Sequence, residues 1–194
     1  SHELRTPLTS MKVHLANLRD GIDGAVTPDQ RGSLLRVEAN LSRLRILIEE
    51  LLDLSQIELG QTTLRLEPVE LGSVIAKTVE DLHPFTSERS VKIVISLPID
   101  LPLVSADPDK LRQILLNLLH NAVKFSPMNT VVNLNVTRLP NDTIQISVRD
   151  VGPGIAPEEV DKVFQPFYRA PTTHKKTKGT GLGLAIAKLL VELH

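Results

Sequence analysis

A pair of antiparallel helices followed by an α/β sandwich is the fold that these 194 residues predict, and three features carry it. Up to residue 59, apolar side chains recur at alternating steps of four and three. At Gly60 that period stops. Beyond it, short period-two stripes interleave with amphipathic helices. With 41% hydrophobic and 23% charged residues, the chain can bury a substantial core.

The first seam runs through Leu4, Leu8, Met11, Leu15, Leu18 and Ile22, a heptad spacing. "DGIDGAVTPDQ" then supplies two glycines and a Thr-Pro helix start, and a second seam follows at Leu34, Val37, Leu41, Leu44, Ile48 and Leu51. Two helices cannot cover both seams between them, so a second copy is expected to complete a dimeric four-helix bundle. Packing of the same helices on the rest of the chain is the alternative. After Gly60 one stripe comprises Val91, Ile93, Ile95 and Leu97, a second Val132, Leu134 and Val136, and a third Ile144, Ile146 and Val148. Helices are expected over 70–83, 108–125 and 182–193. The result is a mixed sheet with helices on one face, and the division falls at residues 1–60 and 61–194.

Composition removes several classes of function. The net charge of −1 argues against a chain dominated by nucleic-acid binding, and 3% aromatic residues with no Trp leave almost no stacking platform for single strands. No cysteine is present, so metal chemistry must use oxygen or imidazole, and a reducing compartment fits. No apolar run of about 18 residues is present, so nothing in these residues is expected to span a membrane.

Three stretches carry chemistry. In "DKLRQILLNLLHNAVKFS", Leu111, Ile114, Leu115, Leu118 and Ala122 take one helix face, while Asn117, Asn121 and Lys124 share another at steps of four and three. Asparagine oxygens are neutral hard ligands suited to Mg²⁺ when phosphates supply the negative charge, and a lysine one turn on can meet those phosphates. An ordinary solvated face is the alternative. "DVGPGI" follows a β-stripe directly: Gly152 and Gly154 permit close backbone approach to a flat ligand, and Asp150 can accept a hydrogen bond from an exocyclic amine. "KGTGLGLAIAKLL" places Gly179, Gly181 and Gly183 between a basic loop and an apolar helix, an arrangement that can face backbone N–H groups toward an anion. It matches neither the Walker A nor the complete Rossmann pattern, and a glycine-rich hinge without ligand is its alternative.

The order of these stretches, with "VFQPFYR" between the last two and "SHELRTPL" ahead of the hairpin, resembles the catalytic core of sensor histidine kinases over nearly all of the chain. The resemblance implies a Bergerat-type sandwich, shared with gyrase, mismatch-repair and heat-shock-chaperone ATPases. It implies ATP and Mg²⁺ as cofactors, with Asn121 as the Mg²⁺ ligand, Asn117 as a further candidate and Lys124 on phosphate or ribose. Asp150 would read adenine, with Gly152 and Gly154 shaping its pocket. Phe164 and Phe167 would anchor the base of an ATP lid and Arg169 would face the phosphates. Gly179, Thr180, Gly181, Leu182 and Gly183 would form the last glycine box, which closes that lid; His120 receives no role.

His2 is then the expected phosphoacceptor. A neutral imidazole, ordinary pKa about 6.5, has a lone pair to attack the γ-phosphoryl group, and Glu3 is the expected general base. Adjacent helical side chains do not face each other, so that contact requires both to lean together. Pro7 withholds a hydrogen bond from the Glu3 carbonyl and is expected to kink the helix. Thr6 stands one turn from His2, placed to orient water against a phospho-aspartate docked there; a bond to its own backbone is the alternative.

The function expected is ATP-dependent autophosphorylation on His2 and transfer to an aspartate of a response regulator receiver domain, with phosphatase activity toward that regulator. A nucleotide-binding scaffold without phosphotransfer and a stand-alone gyrase-like ATPase are the rivals. The location expected is cytoplasmic, as the intracellular part of a sensor whose sensory domain or membrane anchor would lie upstream. The family usually continues beyond the last glycine-box helix with further strands, so the second domain is expected to be truncated.

Overall fold

The computed structural model describes residues 2–140, 143–170 and 179–194, with side chains from residue 6 onward. The roles expected of the His2 and Glu3 side chains therefore lie outside the described residues. The chain separates into two compact units, residues 1–58 and 59–194.

In the first unit, α1 (His2–Arg19) and α2 (Pro28–Glu58) form a hairpin. Pro7 lies inside α1. Gly21 and Gly24 take φ of 76° and 127° in the connection, where a side chain would be strained. Thr27 starts α2 by a reciprocal cap: its hydroxyl accepts from Gln30 N at 3.3 Å, and Gln30 Oε1 accepts from Thr27 N at 2.8 Å. Arg19 reaches Glu38 across the hairpin at 2.9 Å, a surface pair worth at most about 1 kcal/mol. Met11, Leu18, Ile22, Val37, Leu44 and Leu51, all from the two heptad seams, are exposed in the single chain.

The second unit runs β1 (Glu67–Val69), α3 (Leu71–Asp81), α4 (His83–Arg89), β2 (Lys92–Ser96), β3 (Val104–Ala106), α5 (Pro108–Phe125), β4 (Val131–Arg138), β5 (Ile144–Arg149) and α6 (Gly183–Leu193). Two short 3₁₀ turns, Pro157–Glu159 and Lys162–Phe164, precede α6. The main sheet has the order β2-β4-β5, with β2 parallel and β5 antiparallel to β4. It is mixed, as expected. β1 and β3 form a separate antiparallel ladder. Ile75 of α3 and Leu115, Leu119 and Val123 of α5 pack with Val132 and Leu134 of β4 in one buried core. The opposite sheet face carries Val94, Asn135, Gln145 and Ser147 and is exposed.

Three expectations are corrected. The helix expected over 70–83 is α3 and ends slightly early, at Asp81; buried Leu82 turns the chain, and an unexpected helix, α4, follows with Pro84, which lacks an N–H, in its first turn. The stripe ending at Leu97 is shorter, because β2 stops at Ser96 and both Ile95 and Leu97 are exposed. On α5 the buried face also takes in Leu119 and Val123, while Leu118 is only half-buried.

Candidate functional site

The polar flank of α5 is held from its first turn. Asp107, 4% exposed, is the N-cap: Oδ1 accepts from Asp109 N and Lys110 N at 3.1 Å each, and Oδ2 accepts from Arg65 N at 2.9 Å. Burial works to raise its pKa, but the N–H donors of Arg65, Lys110 and Asp109 prevail and hold it below the ordinary value. Asn117, Asn121 and Lys124 follow along the helix, all half-buried. His120 lies between them, its ring stacked on Phe85 of α4 with centroids 4.4 Å apart. Partial desolvation of the ring, and then the charge of Lys124, lowers its pKa, although the residue keeps an exposed edge.

Each glycine expected in the site has a definite neighbour or a definite backbone need. A Cβ added to Gly183 would lie 3.3 Å from Asn117 Oδ1, and one on Gly179 only 2.5 Å from Lys124 Nζ. At Gly181, φ is +79°, and an added Cβ would come within 2.8 Å of the Phe167 carbonyl carbon and 2.9 Å of the Tyr168 oxygen. Phe167 N donates to the Gly181 carbonyl at 2.9 Å, closing that contact. Thr180 Oγ1 accepts from Leu182 N at 3.3 Å, and Leu182 itself is fully buried. The glycine segment is thereby seated on the flank of α5 that carries Asn117 and Lys124.

Asp150 closes its own turn, Oδ1 accepting from Gly152 N at 2.7 Å. Gly152 sits on the end of α5, where an added Cβ would be 2.9 Å from the Phe125 carbonyl oxygen. Gly154 takes φ of +74° in open space. Phe164 and Phe167 both keep exposed surface, but the Phe164 ring lies under the Lys188 ammonium of α6, 5.9 Å from it, while Phe167 is held through its backbone. Phe167 bonds Gly181 through its backbone, and the Tyr168 hydroxyl donates to Glu159 at 3.1 Å. Burial, and then the Glu159 bond, raises the pKa of Tyr168. Arg169 follows, half-buried.

The Phe125 carbonyl and the Tyr168–Glu159 pair were not anticipated; the only sequence signal for Tyr168 is its place before Arg169 in "VFQPFYR". In the hairpin unit Thr6 is exposed on α1, one turn after His2.

Gly183 and Gly179 thus bring bare backbone up to the Asn117 amide and the Lys124 ammonium, and Asn121 lies one turn after Asn117 on the same helix. Among the described residues no group of three or more His, Cys, Asp or Glu could hold a metal ion.

Known proteins similar to this chain identify its family. Residues 106–194 match the family described as histidine kinase-, DNA gyrase B- and HSP90-like ATPase, and residues 1–60 match the His Kinase A (phospho-acceptor) domain. The solved mycobacterial sensor histidine kinase MprB is 32% identical, with a TM-score of 0.55, over 66% of this chain and 80% of its own. The chain belongs to the sensor histidine kinases. Among histidine kinases of known sequence, circadian input-output histidine kinase CikA of Synechococcus elongatus is 38% identical over all of this chain and 26% of its own length. Adaptive-response sensory kinase SasA of Prochlorococcus marinus is 35% identical over all of this chain and 49% of its own. The chain thus spans half or less of these relatives. Full-length ShkA, solved in complex with AMPPNP, superposes with a TM-score of 0.81 at 31% identity, over 99% of this chain and 39% of ShkA.

Proposed function

We propose that the second unit binds MgATP and that its γ-phosphoryl group is transferred to His2, then to an aspartate of a response regulator receiver domain. The observation that carries this reading is the seating of Gly179 and Gly183 against Lys124 and Asn117. It leaves glycine backbone without side chains beside one cationic and one amide group, as a polyphosphate requires. Asp150 at the end of β5 would read the adenine amine, with Gly152 and Gly154 shaping the pocket. Thr180, Gly181 and Leu182 hold the glycine segment, and Arg169 adds positive charge at the phosphate end. Asn121, with Asn117, would hold Mg²⁺, whose chemistry is to neutralise charge on the phosphates.

In the transfer, a ring nitrogen of neutral His2 forms a bond to the γ-phosphorus as the bond to the β,γ-bridging oxygen breaks. ADP leaves with that electron pair. The proton on the other ring nitrogen passes to Glu3. Thr6, one turn along α1, orients the water that hydrolyses the phospho-regulator. The exposed seam residues of α1 and α2 support a homodimer in which a second hairpin completes a four-helix bundle. Among the described residues no helix is long and apolar enough to cross a membrane, in keeping with work on the cytoplasmic side of a sensor.

Incubation with γ-labelled ATP and Mg²⁺ tests this reading. Base-stable, acid-labile label on the protein is the expected outcome, and its absence while nucleotide binds would favour a scaffold instead.

A further inference from the structure

The short helix α4 touches the site at the end of α5 where the nucleotide-facing groups sit. Phe85 stacks on His120 at an interplanar angle of 17°. One turn on, Arg89 spreads its guanidinium over the last turn of α5: Nε donates to the Val123 carbonyl and Nη2 to the Ser126 carbonyl, both at 3.1 Å. Val123 and Ser126 are 0% and 1% exposed. The last carbonyls of a helix have no intrahelical donor, and this end of the helix is its negative pole. A planar cation with two divergent donors answers both needs, and a single ammonium cannot span two carbonyls three residues apart in the same way.

The residues between those two carbonyls are Lys124 and Phe125. Lys124 is the side chain that Gly179 approaches, and the Phe125 carbonyl is the atom on which Gly152 and its Asp150 turn are seated. Resting on the nucleotide reading above, we propose that Arg89 is a positioning residue for ATP. By clamping Val123 and Ser126 it fixes Lys124 and the Phe125 carbonyl, and through them the relative placement of the phosphate and adenine ends of the site. It touches neither nucleotide nor acceptor. A misplacement of about 1 Å at such supports is enough to weaken a site substantially.

The test is isothermal titration of ATP into the parent, Arg89→Ala, Arg89→Lys and Asp150→Asn, well below each unfolding temperature. Arg89→Ala should bind ATP about tenfold more weakly, with millimolar guanidinium ion restoring part of the loss, whereas a purely structural role would lower only the unfolding temperature. Arg89→Lys should lie between parent and Ala. Parent affinity in folded Arg89→Ala would overturn the proposal. If that variant does not fold, parent affinity in Arg89→Lys would overturn it, since one ammonium would then suffice. Lost binding in Asp150→Asn with unchanged binding in Arg89→Ala would refute the Arg89 role alone. A parent that binds no ATP would refute the nucleotide reading itself.

Discussion

Asp107 offers a quantitative check on how α5 is held. Its carboxylate accepts three backbone N–H groups, two from the first turn of the helix and one from Arg65, 42 residues earlier. Asp107→Ala removes the helix cap, at a cost of about 1–2 kcal/mol. It also strands Arg65 N–H. Because Arg65 is otherwise exposed, water can take over that donor, so the added cost sits at the low end, about 1 kcal/mol. The total is about 2–3 kcal/mol, which at a urea slope of about 2 kcal/mol/M moves the midpoint of the second unit down by about 1–1.5 M. Asp107→Asn keeps the capping oxygen but turns an amide donor toward Arg65, so about 1 kcal/mol is expected. The pH dependence has a definite sign. The folded pKa lies below the ordinary 3.8, so the unfolded chain takes up the proton first, and the stabilisation is lost as pH falls through the folded value. Parent and Asp107→Ala should therefore begin to approach each other as pH falls below the ordinary value of 3.8, and the contribution is lost only below the folded value. Urea melts followed by circular dichroism read all three proteins; a midpoint shift for Ala below about 0.3 M would refute the reasoning.

Further outcomes follow from single residues. Gly181→Ala combines a left-handed φ of +79° with contacts under 3 Å to backbone, so ATP affinity should fall at least about tenfold by titration, whereas Gly154→Ala meets open space and should cost only backbone strain of about 1–2 kcal/mol. Asn121→Ala should abolish the Mg²⁺-dependent part of ATP binding with the circular dichroism spectrum unchanged; equal affinity for MgATP would remove it from the site. Thr6→Ala should keep autophosphorylation and phosphotransfer yet slow decay of purified phospho-regulator toward the spontaneous rate, and parent-like decay would show that Thr6 positions no water.

The helical hairpin and the mixed sheet were legible because both periods run over many residues. Two heptad seams and three alternating stripes leave little choice of element type. Finer features were not. In "LLNLLHNAV" leucines occupy Leu115, Leu116, Leu118 and Leu119, so the period alone could not decide that Leu119 and Val123 lie at the centre of the buried face and Leu118 toward its edge. The break at Leu82 was hidden because apolar spacing continues through it, and only Pro84 hints at a new start. In the candidate site, residue types and order were readable, but their partners were not. The approach of Gly179 to Lys124 and of Gly181 to Phe167 joins segments distant in sequence, and a glycine's neighbour leaves no mark on its own position. Arg89 gave no signal, because its role depends on a helix that local pattern did not reveal.

Transfer of the γ-phosphoryl group from ATP held in the second unit to His2 is the step on which the proposed function turns. Its most direct measurement compares parent and His2→Gln for incorporation of label from γ-labelled ATP, with ATP affinity titrated on the same samples. The parent should acquire acid-labile, base-stable label. His2→Gln should acquire none while binding ATP as tightly as the parent, since acceptor and nucleotide belong to different units of the chain. Label persisting on His2→Gln would contradict the account.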